Sequence, residues 1–216
     1  MTSSVARRRP AVAQPLPPSF YDREADVVAR DLLGAILEHR TESGTVRGRI
    51  AEVEAYMGPH DPACHAAAGL TRRTRALFGP PGSAYVYFIY GNHWCVNAVT
   101  REAGYGAAVL IRALEPLTGL ALMRRRRPAA RDVHELANGP GKLCAALGID
   151  AQQNGVSLQK GALRILHAPR VEDAAVRASP RVGITKAADE MLRYVIADNE
   201  YVSRVPSTIS TRTVRI

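Results

Sequence analysis

Two glutamates and a tyrosine recur at every second position of one short stretch. In RGRIAEVEAY, residues 47–56, Glu52, Glu54 and Tyr56 alternate with apolar residues. A period of two is typical of a β-strand, so the three polar side chains are predicted to share one face. Paired carboxylates can act as general acids or bases, whereas a solvated strand face is the common alternative for such a pattern.

The segment that follows this strand is rich in rigid and polar residues. MGPHDPACHAA, residues 57–67, combines two prolines and a glycine with two histidines. Such a loop should return His65 to the end of the strand that carries Glu54. His60, Cys64, His65, His93 and Cys95 could also form a zinc site. None of these residues has zinc-finger or zincin spacing, so we expect no metal.

A single arginine interrupts an otherwise apolar strand further along the chain. AAVLIRALEP, residues 107–116, contains Arg112 amid residues typical of a buried strand. A buried arginine is rare unless it is paired, and Glu54 is the predicted partner. A purely structural ion pair is the alternative.

An aromatic hairpin is predicted between residues 82 and 97, GSAYVYFIYGNHWCVN. Its strands are expected at Ala84–Ile89 and His93–Thr100, joined by a turn at Gly91 and Asn92. Tyr90 should project from the tip, where an exposed aromatic residue indicates a contact surface. Three further aromatic residues are predicted to pack in the core: Tyr85, Phe88 and Trp94.

The charge of the chain favours an anionic partner. Lys and Arg outnumber Asp and Glu by 29 to 20, a formal net charge of +9. Arg72 and Arg73 precede the aromatic hairpin and could bind phosphates beside its tip, although an arginine cluster is often only a solvated surface. In NGPGKLCAALG, residues 138–148, Asn138 is predicted to cap a helix whose first turn, with Lys142, forms an anion site.

Length and composition indicate one domain in a reducing compartment. The 216 residues can bury a core without disulfides, and the three cysteines form no CxxC pair. No apolar run approaches the ~20 residues of a membrane span, and no secretory signal precedes the domain, so a bacterial cytoplasmic location is expected. We predict a disordered basic and Pro-rich arm over 1–18, a domain over 19–205 and a C-terminal tail over 206–216.

The elements that must position these residues form an α+β pattern. A helix capped by Ser19 or Asp22 should run to Gly34, and strands are predicted at Ala35–His39 and Thr45–Tyr56. A short helix is predicted from Leu117 to the arginines before Pro128. Three more strands are predicted near the C-terminus, at Ala162–His167, Arg181–Thr185 and Leu192–Ala197.

Several motifs, in order, resemble the alkyladenine (3-methyladenine) DNA glycosylase family. They are RGRIAEVEAYMGPHDPACHA, FGPPGSAYVYFIYGNHWCVN, AVLIRALEP, NGPGKLC and RVGI. The resemblance extends from about Phe20 to Arg204, and motifs of this length are far more specific than any one pattern above. The chain departs from the family pattern at Asn92 beside the hairpin tip, and at Ala67, Ala68 and Leu70.

The resemblance implies a single domain on a curved antiparallel sheet with a protruding hairpin, flanked by helices. Its activity would be the removal of damaged purines from double-stranded DNA, by a monomer and without metal or other cofactor. Tyr90 corresponds to the tyrosine that fills the gap left by a flipped nucleotide. The flipped base would lie between Tyr56 and His65 on one side and Tyr87 on the other.

The same resemblance assigns the catalytic residues. Glu54 corresponds to the carboxylate that activates the attacking water, and Arg112 helps to position it. Asn97 matches a pocket position that crowds the 2-amino group of normal guanine. Two alternatives stay open: a nucleic-acid-binding module without activity, which would not need Glu54, and a hydrolase of free nucleosides, which would need neither Tyr90 nor the positive charge.

Overall fold

The computed structural model describes residues 14–203 and the backbone of residues 214 and 215. Its α-helices are α1 (Pro18–Tyr21), α2 (Ala25–Leu32), α3 (Leu120–Arg126) and α4 (Pro140–Leu147). The strands are β1 (Ile36–Thr41), β2 (Gly44–Tyr56), β3 (Ala84–Ile89), β4 (His93–Thr100), β5 (Ala107–Thr118), β6 (Leu163–Leu166), β7 (Val176–Ser179), β8 (Arg193–Ile196) and β9 (Val214–Arg215). Short 3-10 helices span His65–Ala68, Arg75–Phe78, Ala151–Gln153 and Asp173–Ala175.

The strands form one curled antiparallel sheet in which β2 has the central place. The order along the sheet is β3-β4-β5-β2-β8-β7-β9. The first half of β2 pairs with β1, which in turn pairs with β6, and its second half pairs with β8. The predicted α+β fold, with a single domain built on an antiparallel sheet, is confirmed.

An irregularity between β2 and β5 decides which face the polar residues of β2 occupy. Ile50 pairs with Leu114, but Glu52 then pairs with Ala113. Before this point Ile50 faces the main core, and after it Val53 does. Because one inserted residue reverses the alternation of a strand, Glu52 and Glu54 both lie on the face away from that core.

The helices cover the core face of the sheet. The buried residues of α2 and α4 pack with the apolar positions of β1, β2, β4 and β5 in one hydrophobic cluster. A second and smaller cluster lies on the other side, beneath the loop that follows β2 and beside the β3-β4 hairpin; it consists of Cys64, Ala66, Leu77, Tyr85, Val99 and Ala108. That second cluster supports the residues of the candidate site.

The predicted start of the first helix is wrong. Two helices replace it: Ser19 lies inside α1, and Asp22 follows the end of α1. The N-cap of α2 is Glu24, which makes no side-chain capping bond. The apolar periodicity identified the buried face of α2 correctly, but propensity alone did not locate the break between the two helices.

Three further element predictions are corrected. Leu117 belongs to the end of β5, so α3 begins only at Leu120. Gly139 rather than Asn138 is the N-cap of α4. The segment 181–185 is a loop, because Gly183 has a φ of 76° that a strand does not adopt, and the strand lies just before it at β7.

The ends of the chain differ in part from the predicted boundaries. Residues 1–13 of the predicted arm lie outside the described residues, but Pro15 pairs with Leu166 and Leu16 is buried in the main core. The folded domain therefore begins before Ser19. Of the predicted tail, only the backbone of β9 is described, where it pairs with β7.

Three cysteines, Cys64, Cys95 and Cys144, are all buried and free. Across residues 14–203, none of the helices combines the length and apolar character that crossing a bilayer requires.

Candidate active site

A cavity of about 380 Å³ opens on the face of the sheet opposite the main core. Its walls come from the β3-β4 hairpin, the loop after β2, the start of α4 and residues 182–184. Six aromatic or imidazole side chains contribute to the lining: Tyr56, His65, Tyr85, Tyr87, Tyr90 and His93. The volume lies within the ~300–1,000 Å³ typical of small-molecule sites.

Glu54 is fully buried and reaches the cavity through its partners Tyr56, Arg112 and Val182, which all line it. Its Oε1 accepts the backbone N–H of Val182 at 2.7 Å, and its Oε2 accepts the hydroxyl of Tyr56 at 3.0 Å. Nη1 of Arg112 lies 3.2 Å from Oε1. The predicted contact between Arg112 and Glu54 is therefore present, and three groups that favour an ionised carboxylate surround it.

Arg112 has a second and closer partner that the sequence reasoning did not name. Its Nε donates to Glu52 Oε1 at 2.8 Å, and the Nε of Arg193 donates to the same oxygen at 2.7 Å. Ser203 adds its backbone N–H and its hydroxyl. The alternation in RGRIAEVEAY placed Glu52 on the right face, but no local signal indicated these partners.

The pKa values of this network follow from its charges. Burial alone would raise the pKa of Glu52, but Arg112 and Arg193 outweigh burial and hold that pKa below its usual value. Burial opposes the charge of Arg112, yet Glu54 and Glu52 raise its pKa above the ordinary value for arginine. Both side chains are therefore charged at neutral pH.

His65 and Tyr87 form one corner of the cavity. Their ring centroids are 4.7 Å apart at an interplanar angle of 68°, and Nδ1 of His65 lies 2.9 Å from the hydroxyl of Tyr85. Burial, aided by the charge of Arg73, lowers the pKa of His65. Burial also raises the pKa of Tyr85 to about 12. At neutral pH the corner therefore presents uncharged rings.

Tyr56 packs against Arg181, a contact that the sequence analysis did not predict. The guanidinium of Arg181 lies 4.8 Å from the centroid of the Tyr56 ring. Arg181 donates from Nη2 to Asp61 at 3.0 Å and from Nη1 to the carbonyl oxygen of Ala55 at 3.0 Å. The signals available were Asp61 in the Pro-rich loop and Arg181 in RVGI, but nothing in the sequence linked them.

Asn97 is placed beside Glu54 by strand register. It pairs with Leu110 on β5, and Leu110 pairs on its other side with Glu54 on β2. Opposite residues of antiparallel strands share a face, so Asn97 and Glu54 lie on the cavity side. The side-chain amide of Asn97 donates to the carbonyl oxygen of Tyr85 at 2.9 Å, which orients it.

The tip of the hairpin is exposed, as predicted for Tyr90. Tyr90 is 78% exposed, has a φ of 54° and borders the mouth of the cavity. Tyr85 is buried, in agreement with its predicted core position. The prediction for Phe88 is wrong, because Phe88 is 43% exposed; its ring lies 4.8 Å from that of Trp94, which packs against the main core.

The three basic residues predicted to bind phosphates lie on two sides of the cavity. Arg72 and Arg73 are exposed in the loop before β3, where Nη2 of Arg73 donates to the carbonyl oxygen of Phe88 at 3.3 Å. Lys142 lies in the first turn of α4, and its Nζ donates to Asn138 Oδ1 at 2.8 Å. Their contacts with DNA stay predictions.

The zinc alternative finds no geometric support in the described part of the chain. Among residues 14–203, no group of three or more His, Cys, Asp or Glu side chains is arranged to hold a metal ion. Cys64 and His65 line the cavity, but Cys64 directs its sulfur to the carbonyl oxygen of Gly106 at 3.6 Å.

The buried carboxylate beside an aromatic cavity, in a basic α+β domain, is compatible with the class of protein that the comparisons with known proteins identify. The chain belongs to the family described as Methylpurine-DNA glycosylase (MPG), which matches residues 19–200. It is thus a DNA glycosylase of the 3-methyladenine type, a class of DNA repair protein.

The curated relatives are similar over almost their whole length. A protein of Methanoculleus marisnigri is 52% identical over 192 residues, which cover 88% of this chain and 98% of the relative. A protein of Myxococcus xanthus is 48% identical over 196 residues, 88% of this chain and 94% of the relative. Both carry the provisional name 3-methyladenine DNA glycosylase.

Proposed function

We propose that this protein is a monofunctional DNA glycosylase that acts as a monomer on double-stranded DNA. It flips an alkylated or deaminated purine nucleotide into the cavity and hydrolyses the N-glycosidic bond. The products are a free base and an abasic site, and no strand is cut. The observation that carries the proposal is the fully buried Glu54, held by two residues that line the aromatic cavity, Arg112 and, through its N–H, Val182.

Base flipping is supported by the hairpin tip. Extrusion of a nucleotide costs a few kcal/mol, and less where damage has already weakened the pair. Tyr90 projects into solvent at the cavity mouth, where its ring can occupy the gap in the base stack. The cavity lies directly beside Tyr90, so the flipped base has a short path into the cavity.

The aromatic walls account for binding of the extruded base. Tyr56 and His65 would contact one face of the base and Tyr87 the other, and each aromatic stack contributes about 1–3 kcal/mol. The rings of His65 and Tyr87, whose centroids are 4.7 Å apart, must move apart to admit the base. The uncharged rings provide π-faces rather than positive charge. Alkylated purines such as 3-methyladenine carry positive charge, so such walls favour them by cation-π attraction.

Glu54 would supply the chemistry. Its carboxylate accepts a proton from a water molecule while the water oxygen bonds to C1′ of the sugar. The bond between C1′ and the base nitrogen breaks, and its electron pair leaves with the base. Because positive charge develops on the sugar in the transition state, the ionised carboxylate also stabilises it electrostatically. Arg112 keeps Glu54 ionised and oriented.

Selectivity against normal guanine is assigned to Asn97. Its amide is oriented by the bond to the Tyr85 carbonyl oxygen, and it lines the cavity beside Leu110. A 2-amino group on the entering purine would meet this side chain. Adenine derivatives and hypoxanthine lack that group and would fit.

The DNA backbone would be held by basic residues around the cavity. Arg72 and Arg73 are exposed on the side of the hairpin tip, and Lys142 lies at the start of α4, next to cavity residues Pro140 and Gly141. Each phosphate contact releases counterions, so affinity for any duplex should fall steeply as salt rises. The net charge of +9 agrees with such binding.

The decisive experiment measures release of free base from a duplex that carries one hypoxanthine or one alkylated purine. Wild type and Glu54→Gln are compared, products are probed for abasic sites, and DNA affinity is recorded for both proteins. We expect excision by wild type, a rate at least ~10²-fold lower for Glu54→Gln, and unchanged affinity. Replacement of the exposed Glu42 by Gln is the matched control.

The other outcomes correspond to the rival functions. Binding of lesion-containing duplex without release of base by wild type would indicate a damage-binding module. Turnover of free nucleosides that lack a DNA backbone would indicate a nucleoside hydrolase. Near wild-type excision by Glu54→Gln would remove Glu54 from the mechanism.

A further inference from the structure

Glu52 is as deeply buried as Glu54, and neither glutamate is among the residues that line the cavity. A buried carboxylate is costly unless it is fully paired. Here Oε1 accepts from the Nε of Arg112 at 2.8 Å, the Nε of Arg193 at 2.7 Å and the Ser203 hydroxyl at 2.8 Å. Oε2 accepts the Ser203 backbone N–H at 2.6 Å. Glu52 therefore has a single well-defined orientation.

The four buried side chains of this network balance in charge. Glu52 and Glu54 are both fully buried, and the side chains of Arg112 and Arg193 are 8% and 5% exposed. Two negative and two positive charges sum to zero in a region of low dielectric constant. Because electrostatic interactions are strong there, removing any one charge changes the electrostatic energy of the other three.

Arg112 links the two carboxylates through different nitrogen atoms. Its Nε is bound to Glu52, and its Nη1 faces Glu54. The guanidinium group is planar and rigid, so a partner at Nε determines where Nη1 points. The orientation of Arg193 is fixed in the same way, because its Nη1 donates to the hydroxyl of Ser179 at 2.9 Å.

We propose that Glu52 is a positioning residue for base excision: it holds Arg112 so that Nη1 faces Glu54, and it balances the charge that acts on Glu54. This inference rests on the proposed function, in which Glu54 must be ionised to accept a proton from water. Glu52 itself touches neither the base nor the water.

The groups that face the two carboxylates decide the direction of the effect. Around Glu54 they are Tyr56 on β2, Arg112 on β5, Tyr87 on β3 and Cys95 on β4. Around Glu52 they are Arg112, Arg193 and Ser203. Without the charge of Glu52, two arginines act on a single remaining carboxylate. The surplus positive charge then favours the charged form of the network and makes proton transfer from water less favourable.

The test is Glu52→Gln, assayed by single-turnover base release from a duplex with one alkylated purine across a range of pH. Excision requires the charged form of the network and should fall at acid pH. In Glu52→Gln this acid limb should move to lower pH by about one unit. The rate on the plateau should fall roughly threefold to tenfold, with little change in DNA affinity, because a weaker and less well oriented base remains.

Glu38→Gln is a matched control for burial and charge. Glu38 is also fully buried, and it pairs with Arg40, Arg47 and Arg164 on the β1-β6 side of the sheet. This variant should lose stability yet keep the acid limb of wild type. A second variant, Glu52→Asp, keeps the negative charge on a side chain that is one methylene shorter. It should keep the acid limb of wild type and have a lower excision rate on the plateau.

An acid limb in Glu52→Gln that coincides with wild type, or moves to higher pH, would overturn the inference. So would an equal shift in Glu38→Gln, or a Glu52→Asp variant with the full plateau rate. If Glu54→Gln abolishes excision while the Glu52 variants behave as wild type, this inference fails and the proposed function stands. If Glu54→Gln keeps its activity, the proposed function itself fails.

Discussion

The hydroxyl of Tyr56 donates to Oε2 of Glu54 at 3.0 Å, two residues away on the same strand. The ring of Tyr56 therefore lines the cavity while its oxygen supports the carboxylate below. Burial and the neighbouring Glu54 charge raise the pKa of Tyr56, so this hydroxyl keeps its proton and acts as a donor. Tyr56 thus contributes its ring to the lining of the cavity and its hydroxyl to a hydrogen bond with Glu54.

Tyr56→Phe should separate these two contributions. The ring that stacks on the base is retained, but the hydroxyl that donates to Oε2 of Glu54 is lost. We expect the acid limb of the excision rate to move to higher pH by about one unit, because a hydrogen bond to a charged group contributes ~1.5 kcal/mol. This direction is opposite to that expected for Glu52→Gln. A shift to lower pH would contradict it.

Arg112→Ala and Glu54→Gln should not be additive. Arg112 acts through Glu54, so once the carboxylate is replaced its removal should cost little further rate. We expect each single variant to lose about 10²-fold or more in single-turnover rate, and the double variant to resemble Glu54→Gln. Full additivity of the two losses would mean that the residues act independently.

Tyr90→Ala should weaken discrimination between damaged and plain duplex. The variant lacks the ring that would fill the vacated stack, so flipping becomes less favourable while phosphate contacts persist. The ratio of the two dissociation constants should fall by about tenfold, which corresponds to ~1.4 kcal/mol of stacking. Phe88→Ala, which removes another exposed aromatic residue of the hairpin, should leave that ratio unchanged. Equal effects of both would argue against a wedge role for Tyr90.

Asn97→Ala should relax selectivity. Without the amide, a purine with a 2-amino group meets open space, so release of undamaged guanine from plain duplex should increase. Asn154→Ala is the control, because the Asn154 side chain also bonds a backbone group of the hairpin, accepting from the Val86 N–H at 2.9 Å. Should both variants release guanine equally, the effect would come from the hairpin backbone and not from the pocket.

Asp61→Ala should destabilise the protein in a pH-dependent way. Burial would raise the pKa of Asp61, but the bond to Arg181 outweighs it and lowers that pKa. The carboxylate therefore stabilises the fold above the ordinary aspartate pKa of ~3.9, and this contribution is lost as pH falls through the lower folded-state value. Near neutral pH the free energy of unfolding should drop by roughly 3–5 kcal/mol, since the buried Arg181 loses its closest partner and keeps only the more exposed Glu190, at 3.4 Å, as a carboxylate neighbour.

The difference in unfolding free energy between wild type and Asp61→Ala should shrink as pH falls below about 4. Denaturant unfolding at several pH values measures it. A difference that stays constant with pH would show that the stabilisation does not come from the ionised carboxylate.

Much of the fold was predictable because its signals are local. The period of two in β2, the aromatic hairpin and the apolar run of β5 each determine a strand within about ten residues of sequence. The prediction of a strand over 181–185 was wrong because it rested on a short apolar pattern. It did not take account of Gly183, whose positive φ is incompatible with a strand. Phe88 was misjudged for a related reason, since alternation gives its face but does not say whether that face is covered.

The sequence by itself determined that Glu52, Glu54 and Tyr56 share one face of β2 and that Arg112 needs a partner, since strand geometry and the cost of a buried charge are local facts. Only the tertiary structure decided which groups share those charges. Arg193 and Ser203 reach Glu52 from 141 and 151 residues away, and Arg181 reaches Asp61 across 120 residues. Such pairings depend on how the whole sheet closes, because no spacing along the chain encodes them.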